Sequence, residues 1–157
     1  MKSTATLAAL TALLFAGAWF ALWTLRRTGA SGKSVELQRI YRKGAARTKI
    51  ESWSAVEIEK VKRGLLVDSA LFVPLYAAFL VVGTLLVARW WPFARHLVMF
   101  AAIGGLFDEI ENLCSFLELQ GHYGVAPLTF TAMVLKSACI LAAFPACLPL
   151  IAILALG

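Results

Sequence analysis

Four long apolar runs constrain the fold of this chain more than any other feature. Each is about 20 residues or longer, enough for a helix to cross the ~30 Å hydrocarbon core of a bilayer. None alternates between apolar and polar residues as a barrel strand does, and a helix satisfies its own backbone hydrogen bonds in lipid. The sequence therefore predicts an all-α integral membrane four-helix bundle in a single domain, residues 1–157. The predicted spans are roughly 5–25, 64–88, 96–117 and 126–156.

The basic residues lie mainly in the segment between the first two spans. Of the 15 Lys and Arg residues, eleven fall between Arg26 and Arg63. Positive charge concentrates in short cytoplasmic loops, so residues 26–63 are predicted to be cytoplasmic and the N-terminus to lie outside. Arg26 and Arg27 directly follow the first apolar run, which favours a retained anchor over a cleaved signal peptide. The predicted location is the bacterial inner membrane, with membrane lipids as partners and no nucleic acid.

The basic segment itself is predicted to be partly helical. Leu37, Ile40 and Tyr41 share one face of a short helix beside basic residues. That pattern is typical of a helix at the membrane interface, and equally of a solvated helix that packs on a partner subunit. Further on, Ser54 and Glu57 form a capping box, which predicts a helix that begins near Ala55 and continues into span two. Pro74 should kink that span.

The third span contains an acidic cluster that is costly in a membrane. Asp108, Glu109, Glu111 and Asn112 lie within five residues of each other. An ionised group near the bilayer centre costs at least about 2.5–3.5 kcal/mol on the insertion scale. Asp108, Glu111 and Asn112 are three and four residues apart, so they share one side of a helix, whereas Glu109 points away. The rest of the chain must therefore shelter this cluster.

Lys136 of span four is the predicted partner of Asp108 or Glu111, because all three lie at similar depths in the inner half of the bilayer. Span two adds Asp68 and Tyr76 on one stripe that faces the same interior. One lysine against several carboxylates leaves negative charge in excess. The candidate ligand-binding residues are Asp68, Tyr76, Asp108, Glu111, Asn112 and Lys136.

These residues allow two interpretations. One is a structural polar clasp, in which the ion pair and the hydrogen bonds of Asn112 and Tyr76 fix the helix register. The other is a site for a proton, a cation or a polar lipid headgroup, since ionisable residues inside a membrane are candidate functional residues. No cofactor or metal is predicted: His96 and His122 lie at different depths, and no Glu-x-x-His motif is present.

Spans two and three resemble a pattern found in small, uncharacterised bacterial membrane proteins. The shared residues are an Asp-x(3)-Phe-x(3)-Tyr span, here Asp68, Phe72 and Tyr76, and a later Asp-x-x-Glu-Asn span, here Asp108, Glu111 and Asn112. The resemblance implies a four-span membrane protein and no particular activity.

The preferred functional prediction is a non-enzymatic membrane protein that binds a lipid or small ligand, or that serves as an accessory subunit of a complex. Its protein partners would be other subunits or further copies of this chain. An alternative is a membrane-embedded enzyme that acts on a lipid or isoprenoid, with Asp108 and Glu111 as the catalytic acid/base pair. A weaker alternative is a proton or cation path through an oligomer.

Overall fold

The computed structural model describes residues 2–27, 36 and 46–156, and all regular structure in these residues is helical. The cytoplasmic-arm helix predicted around Leu37, Ile40 and Tyr41 lies outside the described residues. The helices are α1 (Lys2–Arg27), α2 (Ala46–Glu51), α3 (Ala55–Val67), α4 (Val73–Val87), α5 (Ala94–Glu118) and α6 (Ala126–Leu156). A π-helical turn, Asp68–Phe72, joins α3 to α4, and a 3-10 turn, Tyr123–Val125, precedes α6.

Within the described part of the chain, three stretches of helix are long and apolar enough to cross a membrane: Thr4–Arg27, Ala55–Val87 and Tyr123–Pro145. The second of these combines α3, the π turn and α4 into one long helix. The predicted all-α fold and membrane-protein class are therefore confirmed. Helix α5, with 25 residues, covers the third predicted run but carries the acidic cluster, and it is not among these three.

The start of α3 was predicted correctly from its capping box. The Ser54 Oγ accepts a hydrogen bond from the Glu57 backbone N–H at 3.3 Å. In return, the Ser54 backbone N–H donates to Glu57 Oε2 at 2.9 Å. These two bonds satisfy donors that the first turn of a helix leaves free, and they explain why α3 begins at Ala55.

The π turn stands where the sequence predicted a kink at Pro74. Proline has no N–H and its ring crowds the carbonyl four residues earlier, so an α-helix cannot continue through it unchanged. Here the Val73 N–H bonds to the Asp68 carbonyl, five residues back, and one extra residue fits into the turn. In an unbroken α-helix, Tyr76 would lie about 80° around the helix axis from Asp68. The extra residue of the π turn reduces this angle to about 20°. The turn thus points both side chains toward α5.

Helix α5 packs along α6 and against α4, and α4 also packs on α6. The approach to α4 is close at Gly105, where a Cβ would lie only 2.7 Å from the Ala77 Cβ. Helix α1 packs on α4 and on the π turn. Among the described residues it makes almost no contact with α6.

A separate hydrophobic core lies at the α2 end of the molecule. Ile50, Trp53 and Val61 are its most central members, and each is at most 7% exposed. They pack with neighbours from α2, α3 and the end of α5: Ala46, Leu65 and Leu119. Part of the basic segment is thereby held against the helical bundle and does not extend away from it.

Candidate functional site

The ion pair predicted for Lys136 is present and joins α6 to α5. Its Nζ lies 2.9 Å from Asp108 Oδ1 and 2.5 Å from Glu111 Oε2. The side chains of Lys136, Asp108 and Glu111 are only 14%, 9% and 3% exposed. A charge pair that is sheltered to this extent is screened little by solvent, so each partner depends on the others.

Tyr76 completes this cluster from α4. Its hydroxyl donates a hydrogen bond of 2.5 Å to Asp108 Oδ2, so both oxygens of Asp108 have partners. We call Tyr76, Asp108, Glu111 and Lys136 the Lys136 network. It links three helices through side chains alone. It also contains two carboxylates and one ammonium, which leaves the excess of acid that the sequence suggested.

Asp68 and Asn112 form a separate contact one turn further along α5. The Asn112 Nδ2 donates to Asp68 Oδ2 at 2.9 Å. The structure thus brings together all six residues predicted from the sequence, with Asp68 bound to Asn112 and with Asp108 and Glu111 bound to Lys136. The π turn makes this contact possible, because it places Asp68 on the face that meets α5.

A cavity of about 550 Å³ lies beside the Lys136 network. Helices α1, α4 and α6 form most of its wall, and aromatic and aliphatic side chains dominate it. The only polar groups that line it within the described chain are on Tyr76, Asp108 and Lys136, apart from the indole N–H of Trp19. Its apolar lining is Phe15, Ala18, Trp19, Leu22, Phe72, Phe79, Leu80, Ile140 and Phe144.

The cavity lies between α1 and α6 as well as against α4. Helices α1 and α6 each contribute to its wall but barely touch one another within the described residues. Trp19, on the α1 side, is 63% exposed. The volume is typical of small-molecule sites, which span about 300–1,000 Å³.

Glu118 is a buried acid whose position the sequence analysis misjudged. The predicted third span, roughly 96–117, stops one residue before it, but in the structure Glu118 ends α5 and is 0% exposed. The Thr129 hydroxyl of α6 donates to Glu118 Oε1 at 2.5 Å. A signal was available, because Glu118 follows Glu111 by seven residues and so continues the same helix face.

Replacing Thr129 with Val should lower the free energy of unfolding by about 1–2 kcal/mol, because the buried Glu118 carboxylate loses a hydrogen bond. Chemical unfolding in mixed micelles measures this. Thr131→Val is the matched control, since Thr131 is exposed and its hydroxyl bonds only to the Pro127 carbonyl of its own helix. Equal stability of the two variants would contradict a supporting role for the Glu118–Thr129 contact.

Within residues 2–27, 36 and 46–156, no group of three or more His, Cys, Asp or Glu side chains is arranged to hold a metal ion. Comparison of the chain with protein-family models, with curated proteins and with solved structures finds no match in any of the three. The side chains of the site are therefore the basis for any functional assignment.

Proposed function

We propose that this chain is a non-enzymatic, four-span membrane protein that binds a lipid or another small apolar ligand in the cavity beside the Lys136 network. The supporting observation is the composition of the cavity wall. It is apolar over most of its area, and its few polar groups converge where Tyr76, Asp108 and Lys136 meet. A wall of that kind suits a molecule with a long apolar body and one small polar group.

In this proposal α5 also crosses the membrane, as the third of four spans along the chain. Its acids are tolerated because Asp108 and Glu111 lie against Lys136, and because Asn112 binds Asp68. Pairing offsets part of the cost of placing charge in hydrocarbon. The network would then serve two purposes: it clasps α4, α5 and α6 together, and it presents a polar patch to the ligand.

The proposed orientation in a bacterial inner membrane follows from the two ends of the bundle. Basic side chains cluster at the α2 end, which we assign to the cytoplasm by the positive-inside rule. Exposed aromatic side chains cluster at the opposite end, in the turn between α4 and α5, as in an interfacial aromatic belt. These aromatic residues are Trp90, Trp91 and Phe93, exposed by 68%, 49% and 58%.

Binding is favoured over catalysis by the placement of the two carboxylates. Asp108 lines the cavity, but Glu111 is not among the described residues that do. Both also share the same ammonium group. An acid/base pair must reach the reacting atoms of one substrate together, and this arrangement presents only one member.

Photolabelling tests the proposal in purified protein in nanodiscs. The probes are diazirine derivatives of hexadecanol, hexadecanoate and hexadecylamine, with the diazirine on the alkyl chain. At least one probe should label peptides from α1 and α6 at the cavity. Leu22→Trp, which fills the cavity from α1, should reduce that labelling by about tenfold, a loss of about 1.4 kcal/mol in binding.

Leu13→Trp is the matched control on the same helix, because Leu13 is 70% exposed and does not line the cavity. It adds the same indole and should leave labelling unchanged. Labelling by all three probes that is equal in the Leu22→Trp and Leu13→Trp proteins would mean that the cavity is not a binding site, and it would overturn the proposed function.

A further inference from the structure

The polar groups of the cavity also indicate which headgroup it accepts. We infer that the cavity selects uncharged amphiphiles with a hydroxyl headgroup, such as long-chain or polycyclic alcohols, over the acid or the amine with the same apolar body. This inference rests on the proposed binding function and specifies its ligand class. It depends on the hydrogen-bonding capacity of Lys136 and Asp108 and on the charges around them.

A hydroxyl group matches what the network can still offer. The Lys136 ammonium has three N–H donors, and Asp108 and Glu111 each engage one. Asp108 Oδ1 accepts from Lys136 and Oδ2 accepts from Tyr76, but each carboxylate oxygen has two lone-pair positions. A ligand hydroxyl could therefore accept from the third N–H of Lys136 while it donates to Asp108. A hydroxyl both accepts and donates without carrying a charge.

A carboxylate headgroup meets an unfavourable field at the same point. It would approach Lys136, but Asp108 lies 2.9 Å and Glu111 2.5 Å from that ammonium. The ligand carboxylate would then be repelled by the two carboxylates of Asp108 and Glu111 and attracted by the single ammonium of Lys136. The ligand must also give up its hydration to enter a wall that is largely apolar, and this penalty is far larger for an ion than for a hydroxyl.

An amine headgroup is disfavoured for a different reason. Among the described residues that line the cavity, Asp108 is the one carboxylate that a ligand ammonium could contact, because Glu111 lies outside the lining. An ammonium that binds Asp108 is placed next to the like charge of Lys136, which already lies 2.9 Å from Asp108 Oδ1. It also pays the desolvation cost of an ion.

The three photoprobes described above decide between these headgroups in the wild-type protein. Competition of each unlabelled amphiphile against its own probe, at equal bilayer content, gives the relative affinities. The alcohol is expected to bind about tenfold or more tightly than either ion, a difference of at least about 1.4 kcal/mol. Equal or tighter binding of the acid or the amine would overturn the inference.

Asp108→Asn provides a second test with a predicted reversal. It keeps a hydrogen-bonding group of the same size but leaves Lys136 as the only charge on the cavity wall. The acid should then gain affinity relative to the alcohol, and the amine should lose it. An unchanged order of the three affinities would contradict the role assigned to Asp108. Wild-type labelling that depends on Leu22 but shows no preference for the alcohol leaves the proposed function standing and removes only the inference. Labelling that does not depend on Leu22 removes both.

Discussion

Replacing Lys136 with Met should lower the free energy of unfolding by about 3–5 kcal/mol, the typical cost of removing one partner of a buried ion pair. The reason is geometric. Asp108 and Glu111 both lie within hydrogen-bonding distance of the Lys136 ammonium, and both are almost fully buried. Methionine fills a similar volume, so the loss is one of charge rather than of packing. Unfolding in mixed detergent micelles, followed by circular dichroism, measures the effect.

Lys60→Met is the matched control, because Lys60 is exposed and carries the same side chain on α3. A substitution of that kind usually changes stability by no more than about 0.5 kcal/mol. Glu111→Gln then tests the mechanism. In a Lys136→Met background it removes a carboxylate that has lost its partner, so the double variant should be more stable than the sum of the single effects, by about 0.5–3 kcal/mol. Additive effects would show that the two side chains act independently.

The Lys136 network could be predicted from the sequence because two regular features of an α-helix determine it: the angle and the rise between successive residues. Asp108, Glu111 and Asn112 share a face by their spacing, and rise per residue places Lys136 at the same depth. With a single lysine among several acids, few pairings were possible. Lys136 was predicted to pair with Asp108 or Glu111, and in the structure it pairs with both. Its assignment as a binding site stays a prediction.

The contacts that depend on the π turn could not be predicted in the same way. Proline indicates that a helix must deviate, but it does not state whether the chain kinks or gains a residue. The predicted stripe leaves Asp68 and Tyr76 about 80° apart on a regular helix. The extra residue narrows that angle and turns Asp68 toward Asn112. The burial of Glu118 was missed for another reason. The predicted third span ended one residue too early, so this acid was placed outside the span.

The cavity was beyond sequence reasoning altogether, since it depends on how α1 packs. An apolar helix with no charged residue between its ends has no preferred face that the sequence reveals. The structure places α1 against α4 and the π turn and leaves a gap beside α6. The polar network predicted from spans two to four thereby gains an apolar wall from span one, and the two together support a ligand-binding site.

Replacing Gly105 with Val should lower the free energy of unfolding by about 3 kcal/mol, near the upper end of the usual range for overpacking a tightly packed core. Even an Ala Cβ at this position would lie 2.7 Å from the Ala77 Cβ, so α4 and α5 would have to move apart. That movement would also lengthen the contacts of Tyr76 with Asp108 and of Asp68 with Asn112, which cross the same interface. Unfolding in mixed micelles measures the loss.

A size exchange between the two helices tests the cause directly. Gly105→Ala should destabilise the protein, whereas Gly124→Ala should not, because no atom lies within 4 Å of a Cβ built at Gly124. Adding Ala77→Gly to Gly105→Ala moves the methyl group from α4 to α5, so one glycine and one alanine still face each other at this contact. The double variant should recover most of the stability lost in Gly105→Ala. If it is instead less stable than that single variant, close contact between α4 and α5 is not what requires glycine at position 105.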